Sequence, residues 1–289
     1  MARILITGAS KGIGYDTALT LARAGHEVVA TMRNPKACDL ADIAGREKLA
    51  LSVAALDVDD DGSVAALFAS MAVDVASLDV LINNAGILSM DAIEDESVAQ
   101  YAAVMNTNFL GVVRCCKAVL PSMRVRRSGL IINITSIAGK IAIFGQSAYV
   151  ASKFALEGFT EALAQEALAF GVRVAIVEPG IIATPMTLAN LPRPKANSVY
   201  PHGARMTAFY GAVPATGPAP AVVSETILDL VEGRLTEFRN PTGPDALPFL
   251  GLRASMTDQQ WIDLGGIADN GEYYKAFLGV SGMDLTPAA

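Results

Sequence analysis

Tyr149 and Lys153 stand four residues apart, and Ser136 lies 13 positions before the tyrosine. On a helix, a four-residue spacing puts two side chains on one face. A lysine cation beside a phenol favours phenolate and draws the tyrosine pKa down from about 10. A phenol tuned that way can give or take a proton at an alcohol or carbonyl oxygen. Ser136 would add a hydroxyl that holds the same oxygen. Tyrosine and lysine at this spacing also occur by chance in helices, so the elements around them must supply the context.

The positioning elements begin with the apolar run Arg3-Ile4-Leu5-Ile6. Thr7-Gly8-Ala9-Ser10-Lys11-Gly12-Ile13-Gly14 follows, and then a helical pattern with Ala18, Leu19, Leu21 and Ala22. This order is strand, Gly-rich turn, helix. Gly8, Gly12 and Gly14 allow a tight turn and let a pyrophosphate reach backbone N–H groups at a helix N-terminus. An ordinary βα turn is the alternative. Strand-like runs recur near 3–7, 27–31, 51–56, 78–82, 129–134, 172–177 and 236–239. Helical patterns fill 12–24, 35–44, 61–73, 97–123, 148–170 and 220–232. The strand runs are continuously apolar, as in Leu130-Ile131-Ile132-Asn133-Ile134, which suits a parallel sheet covered on both faces. The expected fold is α/β: one doubly wound Rossmann-type domain over 1–289, mostly parallel and seven-stranded, with helices on both faces.

Composition narrows the function classes. The chain has 289 residues, 52% hydrophobic and 18% charged, which suits one folded domain and argues against disorder. Its net charge of −7 makes nucleic acid and anionic membrane poor partners. Arg124, Arg126 and Arg127 are read as complementing a helix dipole. Cys38, Cys115 and Cys116 fit neither a disulfide framework nor a zinc site, and the adjacent pair is expected to pack in a core. His26 and His202 are the only histidines, so no metal or triad chemistry is expected. His26 is read as capping a turn and His202 as an exposed loop residue. No apolar run reaches about 18 residues, and the first strand pattern leaves no room for a signal peptide. A cytoplasmic location is expected.

An acidic residue about 20 positions past the Gly-rich turn would hold the ribose 2′-OH of NAD. Met32 stands there instead, followed by Arg33, with Lys11 inside the turn. Two cations near one ribose suit a 2′-phosphate, so NADP(H) is the expected cofactor. Alternatively, Lys11 and Arg33 are merely solvated charges.

Taken in order, these motifs resemble the short-chain dehydrogenase/reductase family, in particular carbonyl reductase and hydroxysteroid dehydrogenase-like members. The carriers are the turn from Thr7 to Gly14, Asp57-Val58, Asn83-Asn84-Ala85-Gly86, Asn108, Ser136, Tyr149 with Lys153, and Pro179-Gly180 followed by Thr184. Beyond about residue 185 only Phe238-Arg239-Asn240-Pro241 to Gly243 resembles hydroxysteroid- and retinol-type members. The resemblance implies oxidoreduction between a carbonyl and a secondary alcohol, with Tyr149 as acid/base. It implies that Asn108 holds a water in the proton relay, although the neighbouring Asn106 competes for that role. It gives Gly8, Ser10, Lys11, Gly12, Ile13, Gly14, Arg33, Asp57, Val58, Asn84, Ala85, Gly86, Tyr149, Lys153, Pro179, Gly180, Ile182 and Thr184 as cofactor contacts. Asp57 could instead cap its strand end, and Asn83 to Gly86 are read as mainly structural. A sensor or scaffold that binds NADP with little turnover is the second reading.

Seven of the fourteen prolines fall between 185 and 220, where the family places its substrate loop. That stretch, without sustained helical or strand period, is expected to be a mobile lid. Its Met186, Leu188, Leu191, Tyr200, Met206, Phe209 and Tyr210 point to an apolar, aromatic or bulky carbonyl or alcohol substrate. The extension from Ala254, with Trp261 and Tyr273-Tyr274, is expected to cover that pocket or a neighbouring subunit. The helices at 97–123 and 148–170 resemble those that pair subunits in the family, so a homodimer or homotetramer is expected.

Overall fold

The computed structural model describes residues 1–70, 75–189, 198–212 and 217–286. Seven strands form one sheet: β1 (Arg3–Ile6), β2 (Glu27–Met32), β3 (Leu51–Ala55), β4 (Val80–Asn83), β5 (Gly129–Ile134), β6 (Val172–Pro179) and β7 (Arg239–Thr242). Their order is β3-β2-β1-β4-β5-β6-β7. Every neighbouring pair is parallel. The continuous apolar runs are explained by two cores. On one face Ile4, Ile6, Val28 and Ala30 meet Leu21 and Ile227. On the other Leu5, Val29, Leu81 and Ile131 meet Val119 and Leu156. Alternate residues of each strand thus face opposite helix layers, and both must be apolar.

The helices are α1 (Gly12–Arg23), α2 (Leu40–Glu47), α3 (Asp61–Ala69), α4 (Val98–Met105), α5 (Gly111–Arg126), α6 (Ser147–Leu168), α7 (Pro185–Ala189), α8 (His202–Ala212), α9 (Ala221–Val231), α10 (Ala246–Ser255), α11 (Asp258–Gly266) and α12 (Asn270–Ser281). The helix expected over 97–123 is interrupted by a π turn at Asn106–Leu110, which places Asn108. The helix expected over 35–44 starts later, because Asn34 and Pro35 first form a 3₁₀ turn capped by the Asn34 side chain. The last strand lies at 239–242 rather than 236–239. Its Pro241 is tolerated because β7 is an edge strand.

The stretch 185–220 is not without periodic structure: it contains α7 and α8. The lid expected there lies partly outside the described residues, which omit 190–197 and 213–216. The C-terminal helices build a third core from Phe249, Leu264, Tyr273, Tyr274 and Phe277. No helix among the described residues is long and apolar enough to cross a membrane, and no cluster of His, Cys, Asp and Glu there could hold a metal. Cys115 and Cys116 are free and fully buried.

Candidate active site

In this strand order the crossovers from β1 and β4 leave in opposite directions, which opens a crevice at the carboxyl ends of the strands. A cleft of about 600 Å³ lies there. Every cofactor contact expected from the sequence lines it except Gly14. Gly14 packs instead: a Cβ there would fall 2.4 Å from Asn84 Nδ2 and 2.7 Å from the Gly8 carbonyl. Gly8 sits at φ +69 with its Cβ position 2.7 Å from Ala85 Cα, so no side chain fits. Asn84 holds the turn by donating from Nδ2 to the Thr7 and Gly8 carbonyls at 2.9 and 3.1 Å. Thr7 Oγ1 accepts the Asn84 and Ala85 N–H groups, both at 3.0 Å. The N-cap residue of α1, Lys11, makes no side-chain cap bond, and Gly12 and Ile13 at the start of that helix line the cleft.

Lys11 and Arg33 are both exposed at the cleft, and neither forms an ion pair among the described residues. Met32 is buried at the end of β2. Asp57 lines the cleft and also acts locally, with Oδ1 accepting the Asp59 N–H at 3.1 Å. A dinucleotide fits this cradle: a turn whose Gly8 admits no side chain, the N-terminus of α1, and two cations on the lining.

Ser136, Tyr149 and Lys153 all line the cleft, with the Ser136 hydroxyl hydrogen-bonded to Tyr149. Ser136 Oγ accepts the Ala138 N–H at 3.1 Å and donates to the Pro179 carbonyl at 3.3 Å. Lys153 Nζ donates to the Ile134 carbonyl at 2.9 Å and lies 5.6 Å from the centre of the Tyr149 ring. The expectation that Lys153 draws Tyr149 toward phenolate does not hold here. Burial pushes Tyr149 up to about 12, and the only opposing influence is the Ser136 hydroxyl. Burial likewise draws Lys153 down to about 8, against the pull of the Glu157 carboxylate. Desolvation sets the direction of both shifts.

Asn108 does not line the cleft. Its amide closes a two-way bond with Ile87, donating to the carbonyl at 2.9 Å and accepting the N–H at 2.8 Å. It also donates to Ser152 Oγ at 3.0 Å, and Ser152 donates to the Tyr149 carbonyl at 2.7 Å. Asn108 is therefore tied to the Tyr149 turn of α6. Asn106 points elsewhere, accepting from Arg114 at 3.0 Å.

Beside Tyr149 lies a smaller, apolar cavity that shares Ser136, Tyr149, Gly180 and Met186 with the cleft. Met186, Phe209 and Tyr210 from the 185–220 stretch line it. Met206 is buried under Gly145, and Tyr200 turns outward to Glu94. The side chains of Leu188 and Leu191 lie outside the described residues. His202 is not an exposed loop residue: it starts α8 and packs on Phe144 at 4.6 Å. His26 accepts the Ala2 N–H at Nδ1, 3.1 Å.

Several site residues carry no local signal in the sequence. Phe249 and Phe277 reach the cavity from the C-terminal helices, beside Trp261 of the extension that the sequence sets over the pocket or a neighbouring subunit. Gln146 lines it and donates to Tyr210 Oη at 2.7 Å. Asp245 supports the Pro179-Gly180 turn by accepting the Ile181 N–H at 2.8 Å, and its other oxygen is buried without a hydrogen-bond partner among the described residues. Burial raises its pKa. A Cβ at Gly180 would fall 2.2 Å from Asp245, which explains the glycine.

A family model described as short chain dehydrogenase matches residues 2–194. Retinol dehydrogenase 8 of Bos taurus is 35% identical over 265 residues, covering 87% of this chain and 84% of the relative. A short-chain dehydrogenase from Streptomyces avermitilis superposes with a TM-score of 0.75 at 30% identity, over 92% of this chain and 99% of that one. A gluconate 5-dehydrogenase from Burkholderia cenocepacia, in complex with NADP and tartrate, gives 0.70 at 26% identity over 83% and 92%.

Proposed function

The chain belongs to the short-chain dehydrogenase family and is a nicotinamide-dependent oxidoreductase, and we propose that it uses NADP(H) to interconvert a carbonyl and a secondary alcohol on an apolar substrate. The observation that carries this reading is that Ser136 and Tyr149 line both the cofactor cleft and the apolar cavity. Reacting atoms placed from the two sides meet at these hydroxyls.

The nicotinamide, when bound, supplies or accepts the hydride. The protein's part is position and proton. Ser136 exchanges its long bond to the Pro179 carbonyl for one to the substrate oxygen. Tyr149 gives that oxygen a proton in reduction and takes one in oxidation. Its pKa, pushed up to about 12, keeps it a neutral donor in the ligand-free site. Lys153, anchored on the Ile134 carbonyl, would hold the nicotinamide ribose. Asn108 and Ser152 fix the turn of α6 that carries Tyr149.

NADP(H) rather than NAD(H) is supported by Lys11 and Arg33 on the cleft lining and by the buried Met32 where an acid would hold a free 2′-OH. The similar gluconate dehydrogenase holds NADP. An apolar substrate is supported by the aromatic cavity wall and by a relative named for retinol. Pairing through α5 and α6 into a dimer or tetramer fits the exposed Val125, Phe154 and Leu168. A turnover screen of ketones and alcohols with NADPH and NADH tests the proposal. Cofactor binding with no turnover of any carbonyl would favour a sensor or scaffold instead.

A further inference from the structure

The cavity beside Tyr149 encloses only about 110 Å³. Ordinary small-molecule sites enclose roughly 300–1,000 Å³. A second cavity of about 380 Å³ adjoins it, between Phe144 and His202 on one side and Trp261, Leu264 and Gly265 on the other. Ile143, Trp261 and Phe277 line both. These three side chains are a shared wall, with one face toward Tyr149 and the other toward the larger space. No charged side chain lines the larger cavity, and its one imidazole packs on Phe144. Tyr273 also lines it, and room whose other walls are mainly apolar suits hydrocarbon.

The wall is held in place. Trp261 Nε1 donates to the Ala142 carbonyl at 2.7 Å, and the Arg253 guanidinium lies 5.8 Å from the centre of the indole. Arg205, fully buried on α8, binds the Gly265 and Ala268 carbonyls at 3.1 and 3.2 Å, the Ile267 carbonyl, and Asn270 Oδ1 at 2.8 Å. The helix that brings Phe209 and Tyr210 to the smaller cavity therefore also fixes the far wall of the larger one.

We propose that the two cavities form one substrate site. The reacting carbonyl or alcohol sits at Ser136 and Tyr149, and an extended, unbranched apolar tail passes Trp261 into the larger cavity. The substrate class is then a long-chain alkyl or acyl ketone, or the matching secondary alcohol. This rests on the carbonyl/alcohol reading of the Tyr149 site.

The test is kcat/KM for methyl ketones of increasing chain length with NADPH, in the wild type and in Gly265→Leu. Gly265 and Phe144 both line the larger cavity, and a Cβ at Gly265 would sit 3.5 Å from Phe144 Cδ1, at ordinary contact distance, so a leucine there adds bulk to the cavity wall. In the wild type, each methylene that enters the cavity should raise kcat/KM roughly fourfold. Gly265→Leu should leave short ketones within about twofold and strip the gain from long ones, a loss of tenfold or more. Gly266→Leu, whose Cβ would meet nothing within 4 Å, repeats the test if the first variant does not fold. Turnover of short ketones with no gain in chain length sinks the tail proposal alone. No turnover of any ketone sinks the Tyr149 reading with it. A blocked variant that changes oligomeric mass but keeps the wild-type chain-length profile would make the cavity a subunit contact and overturn the proposal.

Discussion

Removing Arg33 should change which nicotinamide cofactor the protein prefers. Arg33 is exposed at the cleft, next to a buried Met32, in a lining that also holds Lys11, and forms no ion pair among the described residues that it would have to give up. A charge-assisted bond to a phosphate contributes about 1.5–3 kcal/mol. Solvent at an exposed site screens it toward the lower figure. Arg33→Ala should therefore weaken NADPH binding roughly tenfold and NADH binding less than twofold. With Lys11→Ala added, the NADPH loss should approach a hundredfold, and raising the salt from 50 to 500 mM should shrink the difference between wild type and variants. Fluorescence titration of both cofactors measures this. Equal losses for NADPH and NADH would show that Arg33 does not read the 2′-phosphate.

Gly14→Ala should be a stability variant rather than a contact variant. Its Cβ displaces the Asn84 amide, with two hydrogen bonds of about 1 kcal/mol each and overpacking of about 1–3 kcal/mol. At about 2 °C per kcal/mol, Tm should fall by roughly 6–10 °C, and a Tm within a degree of wild type would refute the packing role. Lys153→Met should raise the ligand-free stability at pH 7 while abolishing turnover. The folded pKa of Lys153 is drawn down from 10.5 to about 8, so its burial penalty is complete below pH 8, recedes between 8 and 10.5, and is absent above. The penalty is up to roughly 3 kcal/mol, less about 1 for the lost bond to the Ile134 carbonyl. Denaturant titration from pH 7 to 10.5 should show the advantage of the variant shrinking, and an advantage that grows with pH would reverse the sign of this argument.

The sequence carries the sheet and the cofactor cleft well, because both rest on local patterns. Continuous apolar runs mark strands buried on two faces, and the glycines at 8 and 12 mark a turn with two positive φ angles, with no room for a side chain at Gly8. The substrate side is harder to read. Phe249, Trp261 and Phe277 come from helices far along the chain, and only tertiary packing brings them to Tyr149. The π turn at Asn106–Leu110 leaves the apolar periodicity nearly intact, so the pattern reads as one helix. The electrostatics of the Tyr149–Lys153 pair also escape the spacing. Four residues of separation give the face, but burial decides the direction of both shifts.

The central claim is that Tyr149 moves the proton at the substrate oxygen, and Tyr149→Phe tests it most directly. The ring and its packing are kept, and only the hydroxyl is lost. With a ketone substrate and NADPH, kcat should fall by about 10²–10⁴ while the NADPH Kd stays within about threefold. A kcat within a few-fold of wild type would contradict the account.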